Sequence, residues 1–188
     1  MIVARAPLRI SFSGGGTDIP AFYENYGPGF VVSTSINRHV YVTINEKFDG
    51  KVSVRYRIHE NTDTVRDLKH PLIREILKEY EINSGIEIVI ISEVPAKGSG
   101  LGASSAIAVA LCAALERWKI GPVMNTLLYR KNLAQISSRI EIEKVGAPIG
   151  KQDHYASALG GFNGIKFLQD GSVEGESFED GDFIREIE

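Results

Sequence analysis

Ile86-Glu87-Ile88-Val89-Ile90-Ile91, a short gap, and then Pro95-Ala96-Lys97-Gly98-Ser99-Gly100-Leu101-Gly102-Ala103-Ser104-Ser105-Ala106 form the stretch on which the reading of this chain turns. Ile86–Ile91 is an apolar run of strand length and predicts a buried strand. Ile107–Trp118 is rich in Ala and Leu and predicts a helix, so a loop of Gly and Ser opens a helix N-terminus. That end of a helix carries partial positive charge and unpaired N–H groups, and it attracts phosphate. Gly98, Gly100 and Gly102 let the backbone approach an anion closely. Ser104 and Ser105 add hydroxyls suited to phosphate or a metal ion. The loop reads as a nucleotide triphosphate loop, against the competing reading of a plain Gly-rich turn with a serine N-cap. It is not a Walker loop, because Lys97 precedes the glycines. It is not a dinucleotide loop, because Ser105 stands where the third glycine is needed.

Working outward, Leu8–Ser13 alternates and reads as a strand running into the Gly14-Gly15-Gly16 turn, with Ile19–Tyr26 a short helix or turn. Gly29–Ile36 and Val40–Glu46 read as two strands of a hairpin joined at Asn37-Arg38. Lys51–Tyr56 is a further strand and Arg57–Lys69 a polar surface loop. Leu72, Ile73, Ile76, Leu77 and Tyr80 fall at helical spacing behind Pro71, which predicts a helix over Pro71–Glu81. Helices are expected over Ser104–Trp118, over Val123–Arg139 with an extension toward Lys144, and over Gly150–Leu159. Strands are expected over Phe162–Leu168 and Val173–Phe178 around an Asp170-Gly171 turn. Strands first, then helices mixed with strands, indicate an α+β domain built on a mixed sheet with helices packed on it.

The chain's 188 residues suffice for one domain with a well-buried core, and 43% hydrophobic with 24% charged residues is an ordinary globular composition. A net charge of −3 with no basic block argues against nucleic acid as a partner. Cys112 lies in an apolar stretch and reads as a small core residue, and it excludes a disulfide within the chain. The N-terminus lacks the apolar core of a signal peptide, and no apolar run is long enough to span a bilayer. The expectation is a cytoplasmic enzyme with no membrane partner. Oligomeric state, a homo-oligomer included, is left open. The tail Glu174–Glu188 holds seven acidic residues and one Arg and reads either as a linker or as a solvated end.

Two further constellations carry chemistry. Ala6-Pro7-Leu8-Arg9-Ile10 leads into Ser13-Gly14-Gly15-Gly16-Thr17-Asp18, where Thr17 and Asp18 beside a glycine turn suit a polyhydroxylated ligand. Asp18 as the N-cap of Ile19–Tyr26 is the alternative. Glu141 and Asp153 stand twelve residues apart across a Gly-Pro-Gly break that can fold both toward one point. A divalent cation and a proton acceptor are what phosphoryl transfer needs. The alternative is acids placed at helix ends.

Together the three segments resemble the GHMP kinases (galactokinase, homoserine kinase, mevalonate kinase, phosphomevalonate kinase). Ala6-Pro7-Leu8-Arg9 with Gly14–Asp18 is similar to the first family motif. Pro95–Ser104 is similar to the second, with a longer gap before Gly100-Leu101 and Ala103 in place of its first serine. Leu8–Phe12 with Gly-Gly-Gly-Thr-Asp, and Lys69–Glu75, look most like kinases of D-glycero-D-manno-heptose 7-phosphate and their fucokinase-like relatives. The resemblance implies the family's N-terminal fold, which is also found in a ribosomal protein, over residues 1–180. Residues 181–188 would begin a linker to a C-terminal domain that the chain lacks. It implies ATP and Mg²⁺ as cofactors and a sugar or sugar phosphate as substrate, phosphorylated at the anomeric hydroxyl. Carried over by residue, Asp153 is the catalytic carboxylate, and Arg9 holds it ionised while stabilising the transferred phosphoryl group. Ser104 and Glu141 hold Mg²⁺, with Ser105 and Glu143 the neighbouring alternatives. Lys97, Gly98, Ser99, Gly100, Leu101, Gly102, Ala103, Ser104 and Ser105 bind nucleotide, and Thr17 and Asp18 bind the sugar. His154 reads either as a substrate contact or as a helix-surface histidine. Gly15-Gly16 replaces the Glu-His of galactokinases, so a galactose-type contact set is incomplete. Other readings are a non-catalytic nucleotide- or sugar-binding module, a kinase for fucose or galactose, and a structural or RNA-binding domain, which the acidic balance disfavours.

Overall fold

In the computed structural model, which describes residues 1–95 and 98–177, the opening stretch folds as a strand, β5 (Ile86–Ser92), and a helix, α3 (Ala103–Ile120). β5 lies in a seven-stranded sheet with β1 (Ile2–Ser13), β2 (Gly29–Glu46), β3 (Val52–Arg55), β4 (His59–Thr62), β6 (Phe162–Phe167) and β7 (Val173–Ser177). The order is β4-β3-β5-β2-β6-β7, with β1 on β2. The β3–β5 pair is parallel and the others antiparallel, so the sheet is mixed as expected. β1 follows one edge of β2. β5 and β6 share its other edge, β5 against Val40–Glu46 and β6 against Gly29–Thr34.

The helices cover one sheet face. Leu8, Val42, Ile44, Val54 and Ile88 of the sheet pack against Ile73, Ile76 and Leu77 of α2 (Pro71–Glu79) and against Ala106, Leu111 and Leu115 of α3. α3 is buried nearly all round, which explains its apolar composition. Cys112 is a wholly buried core residue whose thiol burial pushes up to about 12. A smaller cluster joins Tyr23 of α1 (Pro20–Tyr26), Ala134 of α4 (Leu127–Arg139), Tyr155 and Leu159 of α5 (Gln152–Leu159), and Ile165 and Phe167 of β6. No helix among the described residues is long and apolar enough to cross a membrane.

Three expectations are corrected. The hairpin at Asn37-Arg38 does not exist, because β2 is one strand of 18 residues. Its register against β1 jumps from Pro7↔His39 to Arg9↔Ser35, so the polar pair sits in a bulge rather than a turn. Neither residue is the glycine that a tight hairpin turn demands. The loop expected over Arg57–Lys69 contains β4, which pairs antiparallel with β3, and a short 3₁₀ turn, Val65–Asp67. α4 begins at Leu127 rather than Val123, because Thr126 caps it by accepting from the Tyr129 N–H at 3.1 Å. Thr126→Ala is therefore expected to cost about 1 kcal/mol in urea unfolding. An unchanged midpoint would remove this cap from the account of α4. β7 is described to Ser177, so Phe178, the boundary at 180 and residues 181–188 lie outside the described residues, as do Ala96 and Lys97.

Candidate active site

The bulge in the β1–β2 pair falls where Arg9 leaves β1. Bulges redirect side chains, and Arg9 turns inward to 8% exposure. Its Nε donates to Asp153 Oδ1 at 2.7 Å, its Nη2 lies 2.5 Å from the same oxygen, and its Nη1 donates to the Gly100 carbonyl at 2.7 Å. One guanidinium thus joins β1, the phosphate loop and the first turn of α5. Asp153 Oδ2 has no hydrogen-bond partner among the described residues. It faces Gly102, where an added Cβ would stand only 3.2 Å away. Burial raises the Asp153 carboxyl above its ordinary 3.8, and the Arg9 charge and hydrogen bond only partly offset this. Arg9 therefore orients Asp153, but burial outweighs its ionising effect, contrary to the expectation from the cation alone.

Ser104 and Glu141 come together from separate helices. Glu141 lies on a π-helical turn, Ile140–Lys144, that continues α4 and widens the coil toward the start of α3. Such turns recur at functional sites. Ser104 Oγ donates to Glu141 Oε1 at 2.5 Å, Ser105 Oγ reaches Oε2 at 3.4 Å, and His154 Nε2 lies 2.8 Å from Oε2. Burial alone would raise the Glu141 carboxyl, but the partners His154, Ser104 and Ser105 bring it below its ordinary value. An ionised carboxylate beside a hydroxyl is the donor set of a hard cation such as Mg²⁺. Among the described residues no group of three or more His, Cys, Asp and Glu could hold an ion. A cation held by this pair would take its remaining ligands from phosphate oxygens and water. Glu143 does not join them: it lines a cleft with Tyr23 and Lys151.

The glycine loop enters α3 through Gly102, whose φ of 73° is left-handed and favours glycine. Among the described residues no side chain caps α3, whereas His70 caps α2 and Thr126 caps α4. The first-turn N–H groups of α3 are thus left for an anion. The Arg9 N–H holds the loop to β1 by donating to the Leu101 carbonyl at 3.2 Å. Two hollows flank the loop. One, of about 910 Å³, is bounded by Tyr56, Arg57, His70, Ile90, Pro95 and Ser104. The other, of about 470 Å³, is bounded by Arg9, Ser11, Ser13, Gly15, Leu101 and Gln152. The larger was not legible from the sequence, since its walls come from four separate segments.

Thr17 and Asp18 have protein partners of their own. Thr17 Oγ1 donates to the Gly14 carbonyl at 2.8 Å and accepts from the Phe30 N–H at 3.0 Å. Asp18 is 2% exposed and accepts from the Gly16 N–H, the Gln152 N–H and Gln152 Nε2. It does not cap α1, whose N-cap is Ile19. It anchors the start of α5 to the glycine turn instead. His154 is not a helix-surface histidine: it is fully buried. No apolar stripe signals that burial, because His154 has Ser157 and Ala158 at helical spacing. Lys97 lies outside the described residues.

Known proteins resemble this chain in sequence and in fold. The family profile described as the GHMP kinases N terminal domain matches residues 68–161. A D-glycero-alpha-D-manno-heptose 7-phosphate kinase of Campylobacter jejuni is 30% identical over 184 residues, 92% of this chain and 52% of that protein. A galactokinase of Staphylococcus carnosus is 25% identical over 175 residues, 85% of this chain and 42% of that protein. The chain thus spans about half the length of the curated relatives it matches. A crystal structure described as a D-glycero-D-manno-heptose 1-phosphate kinase from Bacteriodes thetaiotaomicron superposes with a TM-score of 0.85 at 28% identity, over 98% of this chain and 62% of that one. The match spans α2, the phosphate loop, Glu141 and Asp153, and its relatives carry the same mixed sheet, so the chain belongs to the GHMP kinase family.

Proposed function

We propose that this chain is the nucleotide-binding part of a kinase that transfers the terminal phosphoryl group of ATP to a sugar-phosphate hydroxyl, with the anomeric hydroxyl of a heptose 7-phosphate the first choice. The observation that carries this reading is Asp153: Arg9 clamps Oδ1, and Oδ2 is left open beside the phosphate loop. A half-buried carboxylate with one fixed and one open oxygen can accept the proton of a hydroxyl presented from the smaller hollow. Gly98 to Ser105 hold the phosphates through backbone N–H groups and hydroxyls. The larger hollow next to Ser104 takes the base. Ser104 and Glu141 hold Mg²⁺, which when bound neutralises charge developing on the phosphate oxygens. Ser11, Ser13 and the Gly14–Gly16 turn line the sugar side, with Thr17 and Asp18 shaping that turn.

The heptose choice is supported by the names of the two most similar relatives described above, which differ on the phosphate position of their substrate. On this reading residues 1–180 form the N-terminal domain and 181–188 lead toward a second one. The test is ATP turnover by this chain with Mg²⁺ and a panel of heptose 7-phosphate, heptose 1-phosphate, fucose and galactose. Turnover with heptose 7-phosphate is expected. Turnover with galactose or fucose alone would overturn the substrate class. Saturable nucleotide binding without turnover would mean an intact phosphate loop on an incomplete enzyme.

A further inference from the structure

His154 follows Asp153 directly on α5, and successive helical residues point about 100° apart. Asp153 therefore aims at Arg9 and Gly102, while His154 aims at Glu141 on the π turn. The imidazole is fully buried, and its Nδ1 has no hydrogen-bond partner among the described residues. Nε2 carries the hydrogen that the Glu141 carboxylate accepts. A buried ring with one bare nitrogen is less favourable than an apolar side chain of similar size. Its single polar contact among the described residues is the hold on Glu141.

That hold differs in kind from the other two on the same carboxylate. Ser104 bonds Oε1 and shares the proposed cation site, so its hydroxyl hydrogen must turn away when a cation arrives. Ser105 reaches Oε2 only at 3.4 Å. His154 bonds the other oxygen, Oε2, at 2.8 Å, so a cation arriving at Oε1 does not require this bond to break. We infer that His154 is the positioning residue of Glu141, fixing Oε2 so that Oε1 alone is presented beside Ser104 to a divalent cation. Groups behind a metal-binding carboxylate commonly set affinity in this way. Through His154, α5 sets the proton acceptor and the cation-binding carboxylate together. This inference rests on the nucleotide and cation reading above.

The test uses Mn²⁺ as the probe, followed by electron paramagnetic resonance, with this chain and a non-hydrolysable ATP analogue. His154→Leu removes the donor and keeps the volume. Gln carries an amide N–H near the place of Nε2, and Asn carries one only near Nδ1. His154→Leu and His154→Asn are expected to weaken Mn²⁺ binding in the ternary complex about tenfold. Their affinity for the analogue without metal should stay unchanged, and His154→Gln should restore Mn²⁺ binding. If His154→Leu fails to fold, the Asn and Gln variants decide the matter alone. Unaltered Mn²⁺ binding in His154→Asn, or equal losses with and without metal, would overturn the inference. An unaltered chain that binds the analogue with no Mn²⁺ dependence would overturn the cation reading and this inference with it.

Discussion

Asp153→Asn is expected to lower sugar-phosphate-dependent ATP turnover by about 10²–10⁴-fold, the usual contribution of a positioned general base. The amide oxygen can still accept from Arg9, so the clamp between β1 and α5 persists. The uncapped start of α3 and the Ser104–Glu141 pair are untouched, so nucleotide affinity should not change. The pH profile provides a second reading. Only ionised Asp153 accepts a proton, and burial places its ionisation above the ordinary 3.8. Turnover should therefore rise with pH through a limb above that value, and the limb should vanish in the variant. The same burial acts on stability with a definite sign. The folded state keeps this proton to higher pH than the unfolded chain, so the contribution of Asp153 falls as pH rises through the window. Asp153→Asn should remove that dependence. A variant retaining a tenth of the original turnover would eliminate Asp153 as the base.

Gly150→Ala should damage both fold and chemistry, though the residue touches neither nucleotide nor sugar in our account. An added Cβ would stand 1.9 Å from Asp18 Oδ2 and 2.2 Å from its Cγ. Asp18 has no room to retreat, since it is 2% exposed and holds Gly16 and Gln152 by hydrogen bonds. Overpacking of this kind costs about 1–3 kcal/mol. The displaced group anchors the residue before Asp153, so turnover should fall even at temperatures where the variant is folded. A double-mutant cycle isolates the cause, because Gly150→Ala should cost clearly less when Asp18→Ala is already present. Equal costs in the two backgrounds would mean that the carboxylate is not the obstacle.

Much of the frame was legible from local pattern. The apolar run Ile86–Ile91, the glycines at 98, 100 and 102, and the small apolar residues of α3 each say what they form without reference to the rest of the chain. Patterns that depend on partners were not legible. Asn37-Arg38 looks like a turn when read alone, and only the β1 ladder on one edge shows that β2 continues through it. His59–Thr62 has no apolar alternation because β4 forms the end of the sheet order. At the site, the loop hydroxyls and the Gly-Pro-Gly break singled out Ser104, Glu141 and Asp153, while their separate roles and that of Arg9 came from the resemblance of three motifs. The burial of His154 and the anchoring of α5 by Asp18 arise only when distant segments meet, so side-chain type alone could show neither.

The contacts that complete the site join opposite ends of the chain. Arg9 and Asp153 are 144 residues apart, and Ser157 bonds the Pro7 carbonyl across 150. Pairings of such high sequence separation must wait for the segments between them, and folds dominated by them form in about milliseconds to seconds rather than microseconds. On a ribosome that adds about 5–20 residues per second, β1 emerges several seconds before α5 exists. Through that interval Arg9 has no carboxylate to meet and the phosphate loop has no clamp. The pairing of Arg9 with Asp153 thus waits until residue 153 has been made, and a nascent chain halted before it holds the glycine loop without that carboxylate.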